Sequence, residues 1–305
     1  MSFLAILIAL VLEQVRPLGY DNPAHAGLRG WTRSVRRNFD TGQAAHGWGA
    51  WCLAVLLPSA ISGLVYWGLW RVNLIFAFVW LVLVLYLTLG FRQFSHHFSD
   101  IRQALEAGDE ALARERFAQW LRRDASALPR GELLRQFIVH SMLSAHRHVF
   151  GVLVVFVVGW VLGLGPAGAV LYRLAEYVSR SWQRRPDGTP SEALEQAATT
   201  TWRWIDHVPA RVTALGFAVV GNFEEAVAGW RSRVAAGEAG SDDVVLAAAG
   251  GAINLPLLRA VMGEAPDPST TPQLAHLGSV VGLVWRAVVL WMLLLALLSL
   301  ARLIG

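Results

Sequence analysis

Histidine, arginine and carboxylate side chains lie on either side of one long apolar run of this chain. His140, His146, Arg147 and His148 precede the run, and Glu176 follows it. Histidine exchanges protons near neutral pH, a guanidinium holds a phosphate or carboxylate through two hydrogen bonds, and a carboxylate binds Mg²⁺. We take these five residues as the catalytic candidates.

Carboxylates are scarce around the same run. Between Glu132 and Glu192 the chain has only two acidic residues, Glu176 and Asp187, and Asp187 lies in an Asp-Gly-Thr-Pro turn motif. Magnesium bound together with a nucleotide uses one or two carboxylates besides the phosphates. The sequence around this run therefore offers few carboxylate ligands for a metal ion.

Arginines near the ends of the apolar runs form a second group. Arg92, Arg147 and Arg173 each lie within a few residues of such an end, where a guanidinium could hold a phosphate. Membrane orientation and contact with lipid headgroups are the alternative explanation. If this protein binds a phosphorylated ligand, we expect these arginines to hold it.

Three further residues complete the ligand-binding candidates. Asp206 and Arg211 flank Pro209, where an ion pair closing a turn is the alternative to ligand contact. Asn254 lies in a glycine-rich stretch, where it could contact a substrate or cap a turn.

His96, His97 and Asp100 are candidate metal ligands. They follow an apolar run and could meet the later histidines as a metal or anion site. The chain has no H-E-x-x-H motif or comparable spacing, and solvated or hydrogen-bonded histidines are the alternative.

The composition predicts a membrane protein. The chain has 305 residues, 55% of them hydrophobic and 16% charged, with a mean hydropathy of +0.44. A membrane-spanning helix needs roughly 20 apolar residues. Spans are predicted at 48–70, 72–89 and 280–303, with a short apolar helix at 1–12. The apolar runs 149–172 and 208–220 are predicted to be re-entrant, the first because Gly163 to Gly168 interrupts it with glycine and proline.

The basic residues indicate topology and exclude some chemistry. All 26 are arginine, so a lysine Schiff base is excluded, and the single Cys52 excludes an internal disulfide. Five arginines lie in 13–46 and nine in 91–148, which places both segments on the cytoplasmic side. No basic repeat alternates with aromatic residues, so we expect no nucleic-acid partner.

The predicted fold is an all-α polytopic integral membrane protein with a re-entrant Gly-Pro helical hairpin and a cytoplasmic amphipathic helical hairpin. Residues 1–305 form a single membrane domain, and 91–148 form the cytoplasmic helical insert. The segment 224–279 is rich in small residues, Gly, Asp and Pro, and is predicted to be loop-rich around a short Ala-rich helix. We expect a multi-pass protein of the bacterial inner membrane.

Several stretches resemble one family. They are Glu-x-x-Arg-Pro at 13–17, ALEAGDEALARERFAQWLRRDASAL at 104–128, VPARVTALGFAVVG at 208–221 and AAAGGAINLPL at 247–257. Together they resemble the CobD/CbiB family of cobalamin biosynthesis. The resemblance implies an enzyme, adenosylcobinamide-phosphate synthase, that joins adenosylcobyric acid to aminopropanol phosphate with ATP and Mg²⁺.

The chain departs from the family pattern on both sides of the Gly-Pro run. Before it, the family's E-N-x-x-D-G run is replaced by Ser144 to Gly151, which keeps the glycine and has no acid. After it, Glu176 and Ser179 stand where the family has Asn and Asp, and the family's lysine is absent. In these losses, and in the turn at 204–211, the chain resembles AmpE, a membrane protein of the same superfamily that is linked to β-lactamase induction.

Two functions follow from these resemblances. The first is an AmpE-like membrane protein that binds a ligand or partner without the family's catalytic acids. The alternative is an active adenosylcobinamide-phosphate synthase, with ATP and Mg²⁺ as cofactors. The expected partners are the lipid bilayer and, as candidates, a corrinoid or phosphorylated small molecule and a second copy of the chain.

Overall fold

The protein is built from helices. The computed structural model describes residues 2–15, 22–121, 123–183, 189–237, 239–255, 257 and 272–304, and within these ranges it contains no strand. This confirms the all-α prediction. The helices are α1 Ser2–Val15, α2 Pro23–Phe39, α3 Ala44–Val72, α4 Leu74–Thr88, α5 Phe91–Glu106, α6 Glu110–Leu121, α7 Arg130–Val161, α8 Ala167–Ser181, α9 Glu192–Val220, α10 Phe223–Ala235, α11 Ser241–Ala252 and α12 Leu274–Ile304.

Three of these helices are long and apolar enough to cross a membrane: α3, α7 and the part of α12 at Leu274–Ala301. The predicted spans 48–70 and 280–303 coincide with α3 and α12. The predicted span 72–89 corresponds to α4, which is apolar but has 15 residues, fewer than the roughly 20 that a straight crossing needs. The predicted N-terminal helix corresponds to α1.

The apolar run 149–172 is organised differently from the prediction. It does not begin a new element, because α7 starts at Arg130 and continues through a π-helical turn, His146–Phe150, to Val161. The interruption expected from glycine and proline is present: Gly163 and Gly165 have φ of 78° and 58°, a region that favours glycine, and α8 begins at Ala167.

Helices α7 and α8 approach closely at two glycines. A Cβ added to Gly159 would lie 3.3 Å from the Cα of Gly168, and a Cβ on Gly168 would overlap the carbonyl oxygen of Val155. Small residues let two helix backbones come together in this way. The two glycines therefore set the contact of this helix pair.

Helix α9 also differs from the prediction of a short re-entrant segment at 208–220. It runs without interruption over 29 residues, with Pro209 in its interior. A proline inside a helix removes one backbone hydrogen bond, but helix-forming sequence on both sides continues the helix through it. The predicted turn at Pro209 is therefore absent.

The chain divides into two compact units, one of residues 1–90 and 147–209 and one of residues 91–146 and 210–305. In the first unit, α2, α3, α8 and α9 pack around a core that includes Trp51, Trp182 and Leu194. In the second, the rings of Phe98 and Phe117 pack on Phe137, with ring centroids 4.8 Å and 5.8 Å apart.

The second unit holds the predicted helical insert and the predicted loop-rich segment. Helices α5 and α6 contact each other across a turn at Gly108, which has φ of 78°. Part of 224–279 is helical rather than loop, because α10 precedes the expected Ala-rich helix, α11. A Cβ on Gly251 would overlap the carbonyl of Glu225, so glycine permits this close packing.

Candidate functional site

Glu176 is the centre of a buried charge cluster in the first unit. Its side chain is 1% exposed, with one oxygen 2.5 Å from Nε of Arg180 and the other 3.3 Å from Nη1 of Arg173. Spacings of three and four residues place all three side chains on one face of α8. Arg173 and Arg180 are 23% and 51% exposed, so the cluster extends from the interior towards the surface.

The ionised form of Glu176 is stabilised by its neighbours. Burial alone would raise the pKa of this carboxyl group, but the positive charges of Arg180, Arg173, His148 and Arg147 outweigh burial and lower the pKa to about 2. Glu176 is therefore a carboxylate at any physiological pH.

Glu13 also belongs to the cluster. It is 3% exposed on α1, and its negative charge acts on Arg173. Sequence reasoning missed it, although a carboxylate in an otherwise apolar helix is itself a signal of a functional or structural role. Glu13 and Glu176 are acids of this cluster, and Arg147, Arg173 and Arg180 are its arginines.

A second buried pair lies in the same unit. The hydroxyl of Tyr172 donates a hydrogen bond of 2.7 Å to Asp206, and both side chains are fully buried. The Tyr172 ring packs on Trp202, with centroids 5.1 Å apart. A Cβ on Gly151 would overlap the Tyr172 hydroxyl, so glycine at this position leaves room for that hydroxyl.

Two of the five catalytic candidates lie in the second unit. His146 is fully buried in the π-helical turn of α7, and its Nδ1 is 2.9 Å from the hydroxyl of Thr213. The His140 ring lies edge-on to Trp120, with centroids 4.4 Å apart. Arg147, His148 and Glu176 are the three candidates that the first unit brings together.

The metal candidates contact one another and neighbouring side chains. Nε2 of His96 is 3.6 Å from the Asp100 carboxylate, which also lies 3.4 Å from Arg116. The His97 ring stacks on Trp120 at 5.6 Å, and burial lowers its pKa. Among the residues that the structure describes, no three His, Cys, Asp or Glu side chains are grouped to hold a metal ion.

The remaining ligand candidates have mixed outcomes. The side chain of the ligand candidate Arg92 lies outside the described part of the structure, and so does the turn residue Asp187. Asp206 and Arg211 are five positions apart on α9, Asp206 in the first unit and Arg211 in the second.

Asn254 has a structural role. It has φ of 53°, its backbone N–H donates to the Gly251 carbonyl at 3.1 Å, and its side-chain oxygen accepts from Asn222 at 3.0 Å. This agrees with the capping alternative, because asparagine tolerates the left-handed conformation that ends a helix.

The carboxylates of the first unit's site do not fit Mg²⁺. Both oxygens of Glu176 face arginines, and Asp206 accepts the Tyr172 hydroxyl. Magnesium needs carboxylate oxygens that are open to it, in near-octahedral geometry. The arrangement is suited instead to holding an anionic group beside its arginines.

Comparison with known proteins gives consistent matches. The family model described as CobD/Cbib protein matches residues 24–262. A curated protein named cobalamin biosynthesis protein CobD, from Stutzerimonas stutzeri, is 30% identical over 96% of both chains. A protein of the same name from Chromobacterium violaceum is 32% identical over 80% of this chain and 77% of its own. No solved structure has a significant match.

Proposed function

This chain belongs to the CobD/CbiB family, and from that membership we propose that it acts in cobalamin biosynthesis at the bacterial inner membrane. As the family resemblance implies, the proposed reaction forms an amide bond between the carboxyl group of adenosylcobyric acid and the amine of aminopropanol phosphate, and hydrolysis of ATP takes up the water that this condensation releases. The observation that carries this proposal is the 30% identity over 96% of both chains to a curated cobalamin biosynthesis protein.

The residues proposed to bind the substrates are the arginines of the buried charge cluster. Arg147 and Arg173 are half-buried and Arg180 is half-exposed, so their guanidinium groups can be reached by an anion at the edge of the cluster. Both substrates carry groups that arginine binds well, a carboxylate and a phosphate. The role proposed for Glu176 and Glu13 is to position these arginines.

Complementation tests the proposal. The chain is expressed in a bacterium that lacks its own adenosylcobinamide-phosphate synthase, and cobalamin-dependent growth is measured with adenosylcobyric acid supplied. Growth is expected, and Arg173→Gln should reduce it while Arg231→Gln, an exposed arginine on α10, should not. The curated relative serves as the positive control. Absence of growth, with the protein shown to be in the membrane, would contradict the enzyme proposal.

A second candidate function is an AmpE-like protein that binds a ligand or partner without catalysis. One observation favours it: the acids of the site are already engaged, Glu176 by two arginines and Asp206 by Tyr172. The chain also has no lysine to replace the one in the family's motif. A site of this kind retains binding groups and lacks free acids.

Binding of MgATP separates the two candidates. Equilibrium dialysis of the purified protein with MgATP should show binding if the chain is the synthase. No binding, together with no complementation, would leave the ligand- or partner-binding function as the proposal. Binding without growth would indicate a nucleotide-dependent function other than the synthase reaction.

A further inference from the structure

Four arginines form a stripe along α2. Arg29, Arg33, Arg36 and Arg37 follow one another at spacings of four, three and one residue. At about 100° per residue these positions fall within an arc of about 100° around the helix. The helix carries no aspartate or glutamate, so the stripe is an unbroken strip of positive charge.

The stripe is separate from the face of α2 that packs on the protein. Thr32 and Val35 are buried at 1% and 3% exposure, and Val35 belongs to the core of the first unit. Arg33 and Arg37 are exposed. The core contacts of α2 therefore leave Arg33 and Arg37 accessible, while Arg29 and Arg36 are half-buried.

The neighbouring acid does not neutralise the stripe. Asp40, which follows α2, accepts a hydrogen bond from the backbone N–H of Ser191 at 3.1 Å. The ion pairs found among the described residues do not include Arg33, Arg36 or Arg37. These three charges are therefore available to an external anion.

The position of α2 in the chain indicates where that anion is. A four-residue connection, Asp40 to Gln43, joins α2 to α3, and it can separate the two helices by at most roughly 18 Å. Helix α3 is long and apolar enough to cross a membrane. Trp31 and Phe39 are 38% and 39% exposed on α2, and aromatic side chains are common at the level of the headgroups.

We propose that this arginine stripe binds the headgroups of anionic phospholipids. A phosphodiester offers oxygens that a guanidinium fork can hold through two hydrogen bonds, and a row of four arginines suits a membrane surface better than one small soluble anion. This lipid-binding role does not depend on the proposed enzymatic function.

Lipid titration of the purified full-length protein tests the proposal. Short-chain phosphatidylglycerol is titrated into protein in neutral detergent, and bound lipid is counted by native mass spectrometry. The compared proteins are wild type, Arg33→Gln/Arg37→Gln, and Arg203→Gln/Arg231→Gln, a control that removes two exposed arginines from α9 and α10. At about 1 kcal/mol per arginine near an anionic surface, the stripe variant should bind about 30-fold more weakly.

A further variant and two competing ligands identify the chemistry and the source of the anion. Arg33→Lys/Arg37→Lys keeps the charge but loses the guanidinium fork, so its affinity should lie between those of wild type and the glutamine variant, and this excludes misfolding as the cause of a loss. Phosphatidylcholine and inorganic phosphate should compete poorly. Equal weakening in the α9/α10 control, equal binding of phosphatidylcholine, or full competition by inorganic phosphate would each overturn the proposal.

Discussion

Replacing Glu176 by glutamine tests whether the charge cluster stabilises the folded protein. The pKa of Glu176 falls from its ordinary value of 4.5 to about 2. At about 1.4 kcal/mol per pKa unit, that drop corresponds to about 3 kcal/mol of stability at neutral pH. Arg180 is half-exposed, so solvent screens part of this interaction. We expect Glu176→Gln to lower the free energy of unfolding by about 1–3 kcal/mol.

The assay is equilibrium unfolding in mixed micelles followed by tryptophan fluorescence. Glu115→Gln is the matched control, because Glu115 is exposed on α6 and its neutralisation should change stability by less than about 0.5 kcal/mol. If the two variants unfold at the same denaturant concentration as wild type, the ion pairs of Glu176 do not contribute to stability and the reasoning is refuted.

The pH dependence of the stability difference between wild type and Glu176→Gln is a second check. The folded state holds Glu176 at a pKa below its unfolded value, so the stabilisation is complete above about pH 4.5 and is lost as the pH falls towards 2. The gap between wild type and Glu176→Gln should therefore stay constant from pH 7 to 5 and narrow below pH 4.5. A gap that persists unchanged at pH 3 would show that it does not come from the charge.

Two further predictions concern close packing and a buried histidine. Gly151→Ala should destabilise by about 1–3 kcal/mol, because its methyl group would overlap the Tyr172 hydroxyl. Gly282→Ala, with open space around it, should be neutral or stabilising, and equal unfolding midpoints for the two variants would contradict the packing argument. Burial lowers the pKa of His97 from 6.5, so stability should fall as the pH drops below 6.5. His97→Phe, which keeps a ring on Trp120, should weaken that fall between pH 7 and 5.5, and an unchanged pH profile would refute it.

Much of the helical architecture could be predicted from periodicity and hydropathy. The apolar runs at 48–70 and 280–303 locate α3 and α12, because length and composition alone decide those helices. The continuation of α7 back to Arg130 and of α9 through Pro209 could not be predicted. Both depend on whether neighbouring helices support an irregular turn, which local sequence does not record.

The candidate site was partly predictable. Arg147, His148 and Glu176 stood out as charged residues beside an apolar run, and they share one unit. Glu13 was missed because its interaction with Arg173 joins residues 160 positions apart. The Tyr172 to Asp206 bond was missed for a related reason, since two common residue types 34 positions apart carry no local pattern.

The glycine contact between α7 and α8 has a consequence for assembly. Gly159 and Gly168 bring backbone against backbone, so the association of this pair comes from van der Waals packing rather than from removing apolar surface from water. Packing of that kind remains favourable in the apolar interior of a membrane. The two helices are also neighbours in sequence, which makes their pairing entropically inexpensive. This hairpin can therefore form as soon as both helices have been synthesised, and later helices can assemble on it.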